Sequence, residues 1–411
     1  MRMGSRSTRA DESPIIDRMK RFLLPALCGV AALSAFASSA RADFASCVGS
    51  LRAEAARGGI SARTLDVAFN GLQPDMKVLD FQSQQPEFKT PVWDYVDGLT
   101  GDDRVADGKA AMGSQARALA RAEERFGVSR YMLAAIWGVE SRFGQKMGAR
   151  PLVQSLSTLA CFGGRARYFR SELMATLEIV DRGDVPADKL NGSWAGAFGQ
   201  TQFMPSTFLK LAVDFEGDGR RDIVDSAPDA LASTANYLRK SGWRPGLPWG
   251  FEVKLPDGYS GPSGRRAKQS MSFWAARGLT RIDGRPLGGG DAALLLPAGR
   301  DGPAFLVTRN FDAVYSYNAA ESYTLAACVL ADRLAGGRGI VTPWPTDDPL
   351  LPLEGRKEVQ ALLARRGYDV GGAPDGDIGT KSKAAIADFE QRAGLAVNGR
   401  ASVKVLEALK K

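Results

Sequence analysis

The sequence predicts a mainly α, α+β protein: a helix-rich body with a minor β-sheet, followed by a small module of three short helices. Three observations carry this. Helical apolar spacing runs through most of residues 44–242. Alternation of apolar and polar residues is confined to the short stretches 250–259 and 304–317. A segment rich in proline and acid, 343–349, separates residues 350–411 from the rest. With 411 residues, 44% of them hydrophobic, the chain is long enough for about two or three domains.

At the N-terminus, Met19-Lys20-Arg21 leads into an apolar stretch over 22–37 and the small-x-small sequence Ala40-Arg41-Ala42. This is the layout of a secretory signal cleaved after Ala42. The apolar part is shorter than the roughly 20 residues of a membrane span, and Pro25 interrupts it. Residues 1–18 read as an upstream extension, with Met19 as the start. Pro25-Ala26-Leu27 precede Cys28, where a lipoprotein signal needs a small residue, so a soluble exported protein is expected.

Residues 1–42 carry seven basic and three acidic residues, so export would lower the net charge from +8 to +4. That suits an anionic polymer and is too weak to argue for nucleic acid. Cys47, Cys161 and Cys328 remain; two could pair in an oxidising compartment, and the sequence does not say which. The chain has no histidine, which removes Ser-His-Asp and Cys-His nucleophiles, His-ligated zinc and imidazole bases. Chemistry here must run on carboxylates, hydroxyls, amides or a hard metal ion.

Taken in order, residues 44 to 130 read mostly as helices, punctuated by Pro74, Pro86 and Pro91, with a charged amphipathic helix over 114–126. In the next helix, Leu133, Ile136, Trp137, Glu140 and Phe143 share one stripe, so a carboxylate lies on the apolar face. Positions three and four away from Glu140 hold no cation. It is therefore either paired with a distant arginine or held protonated by desolvation. Two more helices fall in 152–182. Another spans 226–242, starting at Ser226 with Pro228 and Asp229 in its first turn and stopping at Gly242. In the final module, Val359, Leu362 and Leu363, then Ile386 and Phe389, then Val403, Leu406 and Leu409 mark three amphipathic helices.

Two stretches carry further chemistry. "NGSWAGAFGQTQFMPSTF", 191–208, sets Gly and Ala beside Trp194, Phe198, Phe203 and Met204. It suits either a groove floor where backbone approaches a flat ligand or a tight helix–helix contact. In a groove, Ser193, Gln200 and Gln202 would bond a sugar while the aromatics stack on it. Asp214, Glu216 and Asp218 alternate before Gly219 at the sixth position, the spacing of an EF-hand calcium loop. A 12-residue loop would end at Asp225, and Asp229 would close a longer one.

"WGVESRFG", "GSWAGAFGQTQFMPSTF", "DFEGDGRRDI", "ALASTANYLRKSGW" and "YSYNAAESY", in this order, resemble the lytic murein transglycosylases of the B type over about residues 44–341. "DGDIGTKSKAAIADFEQRAGL" in the C-terminal part resembles a small peptidoglycan-binding module. The resemblance implies a lysozyme-like catalytic domain over 43–342 and a binding module over 350–411. It implies a periplasmic enzyme with no catalytic cofactor, acting on peptidoglycan strands beside other cell-wall enzymes. It puts the catalytic acid on Glu140, whose apolar helix would keep it protonated. Substrate contacts fall on Ser193, Gln202, Tyr237, Tyr317, Asn318 and Tyr323. A structural calcium would be held by Asp214, Glu216, Asp218, the Arg220 carbonyl and Asp229, with glutamate standing at the third loop position where shorter ligands are common.

On this reading Glu140 protonates the oxygen between N-acetylmuramic acid and N-acetylglucosamine, then takes the proton of the muramic 6-hydroxyl, which closes as a 1,6-anhydro sugar. An ordinary glycosidase needs a second carboxylate about 5–10 Å from the first. Residues 192–208 hold none, leaving Glu172, Asp181 and Glu321 as acids that could approach. A hydrolysing muramidase and a non-catalytic wall-binding scaffold are the rival readings.

Overall fold

The computed structural model describes residues 43–82 and 90–411. The signal sequence, the upstream extension, Cys28 and the break at Pro86 lie outside the described residues. Among the described residues no helix is long and apolar enough to cross a membrane.

The body is mainly helical, built on two apolar cores. Helix Arg130–Ser141 runs through the first, with every residue from Met132 to Gly138 buried, as a central helix requires. It packs on helix Glu321–Leu334, which contributes Tyr323, Leu325 and Leu330. The second core gathers helices Leu152–Phe162, Ala166–Asp181 and Pro205–Leu211 around Leu156, Phe169, Leu173 and Phe208. A Cys47–Cys161 disulfide ties the first helix, 43–57, to this core, and Cys328 is buried as a free thiol. Tyr237 and Tyr317 pack against both cores, so the seam between them is lined by tyrosine.

Helix Ala227–Lys240 begins as the sequence predicts: the Ser226 hydroxyl accepts the Asp229 amide, Pro sits in the first turn, and Gly242 follows at φ 95°. The sheet corrects the sequence reading in two places. It has five antiparallel strands, ordered Gln269–Ser270, Asp291–Leu295, Ala304–Val307, Gly250–Lys254 and Thr280–Arg281. Asp291–Leu295, like the short strands Gln269–Ser270 and Thr280–Arg281, falls between the two stretches whose alternation predicts strands. It is buried on both faces: Ala293 and Leu295 join the first core, while Ala292 and Leu294 join a separate cluster with Phe251 and Trp274. The strand at 304 stops at Val307, and Arg309–Tyr315 is a helix whose Asn310 amide is met by the Thr308 hydroxyl. Its Phe311, Ala313 and Tyr315 satisfied a two-residue alternation by accident.

Residues 351–409 have their own core of Val359, Leu363, Ile386, Phe389, Val405 and Leu409, on helices Leu353–Arg365, Thr380–Ala393 and Val403–Lys410. The segment before them lies against the body. Trp344 Nε1 donates to Asp97 Oδ1 at 3.2 Å, and the Glu252 carboxylate accepts the amides of Val341 and Thr342 at 2.8 and 2.7 Å. Arg356 pairs with Asp103 at 3.3 Å and Arg400 with Asp94 at 2.5 Å. These contacts seat the module on the body.

Candidate active site

Glu140 stands next to last in its helix, and what ends the helix also aims it. Arg142, Phe143 and Gly144 are consecutive left-handed residues, at φ 51°, 58° and 85°, a turn whose two non-glycine members cost about 1–3 kcal/mol each. Two anchors hold it. The Ser141 hydroxyl accepts the Gly144 amide at 2.8 Å and donates to the Gln200 carbonyl. The Phe143 ring fills the space over Gly138, where a Cβ would come within 2.5 Å of Cζ. Arg142 turns away to pair with Asp107 at 3.0 Å.

Glu140 is half-buried. Tyr323, 2% exposed, donates to Glu140 Oε1 at 2.6 Å, so a phenol from the facing helix meets this carboxylate. Burial first, and the Glu140 charge second, push both the Tyr323 and Tyr317 hydroxyls well above their usual range. They stay neutral donors. Tyr317 donates to the Thr201 carbonyl at 2.7 Å and Tyr237 to the Ser316 carbonyl at 2.5 Å. The two rings meet edge-on at 4.8 Å, with Phe203 behind both at 5.8 and 5.9 Å. Asn318 follows Tyr317, half-buried, in the turn before the Tyr323 helix.

The glycine-rich stretch forms the adjoining wall. Ser193 Oγ accepts the Ala197 amide at 3.0 Å, which leaves its own O–H to donate outward. Gln202 sits at φ 50° and gives its side-chain N–H groups to the Met147 and Gly199 carbonyls at 2.9 and 2.8 Å. What it retains for a ligand is its amide oxygen. The aromatic-floor reading needs correction: Phe198 and Phe203 are 0% and 2% exposed and belong to the core, and only Trp194 and Met204 are half-exposed. Gln200 is likewise buried, donating to the Val224 carbonyl at 3.1 Å. The glycines serve backbone-on-backbone packing, since a Cβ on Gly148 would lie 2.3 Å from the Gly192 carbonyl. Composition could not tell a stacking ring from one that locks the wall.

Of the three acids left open as second carboxylates, each has another task. Glu172, 3% exposed, accepts the Ser206 amide and hydroxyl at 2.9 and 2.7 Å and so caps helix Pro205–Leu211. Asp181 accepts the Ser61 amide and Thr64 hydroxyl at 3.1 and 2.7 Å. Glu321 lies on the surface, 3.9 Å from Arg265.

The 214–229 loop turns at Gly217 and Gly219, both left-handed. Its carboxylates serve its own amides. Asp214 accepts from Gly217, Asp218 and Gly219, which holds it below the usual carboxylate range. Asp218 accepts the Arg220 amide, and Glu216 accepts the Ser226 hydroxyl. Asp229 is 2% exposed and accepts the amides of Phe215, Glu216 and Asp222. Among the described residues no three such acids gather within reach of one ion, because each carboxylate of the loop is turned to a neighbouring amide or hydroxyl. The loop instead braces the wall: the Ile223 and Val224 carbonyls receive the backbone and side-chain N–H of Gln200.

A helical body in which a half-buried acid is met by a tyrosine of the first core, beside the seam lined by Tyr237 and Tyr317, fits the class of lysozyme-like glycan-cleaving enzymes. The chain belongs to the transglycosylase SLT domain family, whose profile matches residues 43–332. A peptidoglycan binding domain profile matches 353–409. The chain is 36% identical over 245 residues to membrane-bound lytic murein transglycosylase B of Escherichia coli K12, covering 57% of this chain and 65% of that protein, just under two thirds of the relative's length. It is 44% identical to SltB3 of Pseudomonas aeruginosa, solved with NAG-anhNAM-pentapeptide, over 90% of this chain and 99% of that one, with a TM-score of 0.72. The lytic transglycosylase Slt35 of E. coli, solved with calcium, is 30% identical over 72% of this chain and 93% of that one, with a TM-score of 0.62.

Proposed function

We propose that the chain is a peptidoglycan lytic transglycosylase that cleaves the β-1,4 bond between N-acetylmuramic acid and N-acetylglucosamine and leaves a 1,6-anhydro-muramyl end. The observation that carries this is Glu140 held by Tyr323, with Glu172, Asp181 and Glu321 engaged elsewhere. Tyr323 donates to Oε1 and orients the carboxyl group, which gives its proton to the leaving 4-oxygen. The carboxylate then takes the proton of the muramic 6-hydroxyl as that oxygen bonds to C1. One bond breaks, one forms, the proton balance closes on Glu140, and no water is consumed. The substrate supplies the nucleophile that a second carboxylate would otherwise activate.

Ser193 and the Gln202 amide oxygen orient the sugar, and Tyr237, Tyr317 and Asn318 shape the groove on the opposite side. The P. aeruginosa relative was solved with both NAG-NAM-pentapeptide and NAG-anhNAM-pentapeptide, which supports a substrate carrying a peptide stem and an anhydro product. Residues 1–42 address the protein to the periplasm, residues 43–342 act, and residues 350–411 hold the wall. Calcium is a structural ligand at most. The oxygen-only spacing of Asp214, Glu216 and Asp218 and the calcium complex of the E. coli relative favour it, and the chemistry does not pass through it.

The test is mass spectrometry of muropeptides released from purified peptidoglycan by residues 43–411 and by the Glu140→Gln variant. Anhydro-muramyl products that vanish in the variant support the reading. Reducing ends would replace it with hydrolysis, and intact wall binding without products would replace it with a scaffold.

A further inference from the structure

A surface hollow of about 430 Å³ opens between the segment 263–267 and the rim residues Tyr315 and Glu321. Those two residues bracket the turn that carries Tyr317 and Asn318, so the hollow borders that turn. Its cationic edge is held in place. The Gly264 amide donates to the Leu294 carbonyl at 2.7 Å, and the Ala267 amide to the Gly264 carbonyl at 2.9 Å. Arg265 is fixed three ways: over the Tyr315 ring at 3.7 Å, on Asp312 at 2.8 Å, and 3.9 Å from Glu321. Lys268 shares Asp312, also at 2.8 Å.

Two cations therefore meet in Asp312, and Arg266 is left over. It is exposed and makes no ion pair among the described residues. Three cations face two acids, an excess of one positive charge beside a groove that lacks a cation of its own among the residues assigned to it. An arginine whose neighbours already satisfy the local carboxylates is available for a carboxylate from outside.

We propose that this hollow is a subsite for a carboxylate of the peptide stem on the muramic acid residue, with Arg266 as its ligand and Arg265 and Tyr315 as the fixed floor. The assignment rests on the peptidoglycan reading above and adds to it a specificity device. The glycan lies in the seam, and its charged stem reaches around the 315–321 turn.

The experiment compares two substrates of equal glycan length, one with free stem carboxylates and one with those carboxylates amidated, using the whole chain from residue 43. The wild type is expected to turn over the free-carboxylate substrate about three-fold faster in kcat/KM, the scale of one exposed ion pair. Arg266→Glu should abolish or invert that preference, Arg266→Lys should keep part of it, and the amidated substrate should be cleaved equally by all three. A wild-type preference that Arg266→Glu leaves unchanged, or no preference in the wild type, overturns the subsite. Absence of anhydro products from both substrates would instead overturn the transglycosylase reading. Arg266 is exposed, so unchanged thermal melting in both variants is the expected control.

Discussion

The Tyr323 hydroxyl and Glu140 Oε1 are 2.6 Å apart across two helices that are 183 residues apart in sequence. A phenol donating to a carboxylate favours its charged form.

Tyr323→Phe removes the donor and keeps the packing. The ionised carboxylate loses its hydrogen bond, so the alkaline limb of the kcat/KM profile should move to higher pH. The base half of the cycle loses its orienting contact, so kcat should fall roughly 10- to 100-fold, the value of one hydrogen bond to a charged group at about 1.5–3 kcal/mol. The pH profile is the decisive readout, because a merely structural loss would lower the rate without moving the limb.

The same burial gives a stability signature at high pH. Tyr317 and Tyr323 have hydroxyls raised well above the usual range, by desolvation first. A group raised in the folded state contributes stability that is complete below its unfolded pKa, near 10, and is lost as pH climbs through the folded value. Unfolding by denaturant should therefore show constant stability up to about pH 10 and a steep decline above it. Absorbance near 295 nm should reveal two of the nine tyrosines ionising only as the chain unfolds. Early ionisation of all nine would contradict the buried seam.

How much of this was legible in the sequence depends on the range of the interaction. Local rules worked. Ser226 and Gly242 bounded their helix because capping is a matter of a few adjacent residues, and Glu140 stood out because a stripe has a fixed period. Faces and partners were hidden. Phe198 and Phe203 lie next to groove residues in sequence, yet bury themselves in the core, and composition carries no direction. Strand Asp291–Leu295 is apolar on both faces, so it showed no alternation. The Cys47–Cys161 pair could not be read from three cysteines, because pairing depends on which two helices meet.

That disulfide closes a loop of 114 residues. The chain-entropy account gives such a bridge about 4–5 kcal/mol, and a double Cys47→Ser, Cys161→Ser variant should lose most of that in denaturant melts. Mass spectrometry after alkylation should find Cys328 protected in the native state and labelled on unfolding, since it is fully buried. A variant as stable as the wild type would mean that the bridge does not form.

Gly138 tests the turn behind the acid. The Phe143 ring lies where a side chain would go, and that ring holds the left-handed turn that follows Glu140. Gly138→Ala should cost about 1–3 kcal/mol through overpacking and reduce kcat more than KM, because the helix end that aims the carboxylate shifts. Phe143→Leu in the same background relieves the clash and should restore part of both. If Gly138→Ala melts as the wild type does, the ring does not sit there.

The last prediction concerns the clamp between module and body. Asp94 is 5% exposed and its carboxyl is raised by burial, with Arg400 pulling it back down. Arg400→Ala removes the opposing charge and leaves the burial, a change worth about 3–5 kcal/mol for a buried pair and less here because the Arg400 side chain is 18% exposed. The sign follows from linkage. A carboxyl raised in the folded state is best tolerated when protonated, so the deficit of Arg400→Ala should grow as pH rises from 5 to 8 and shrink as it falls. Arg356 on Asp103 and Trp344 on Asp97 remain, so the variant should stay folded while the module loosens, which small-angle scattering would record as a larger radius of gyration at pH 8 than at pH 5. With the module loose, the module and groove no longer engage a strand as one rigid unit, and turnover of insoluble peptidoglycan should fall while turnover of short soluble fragments holds. Equal scattering at both pH values would show that the Asp94–Arg400 pair does not hold the module in place.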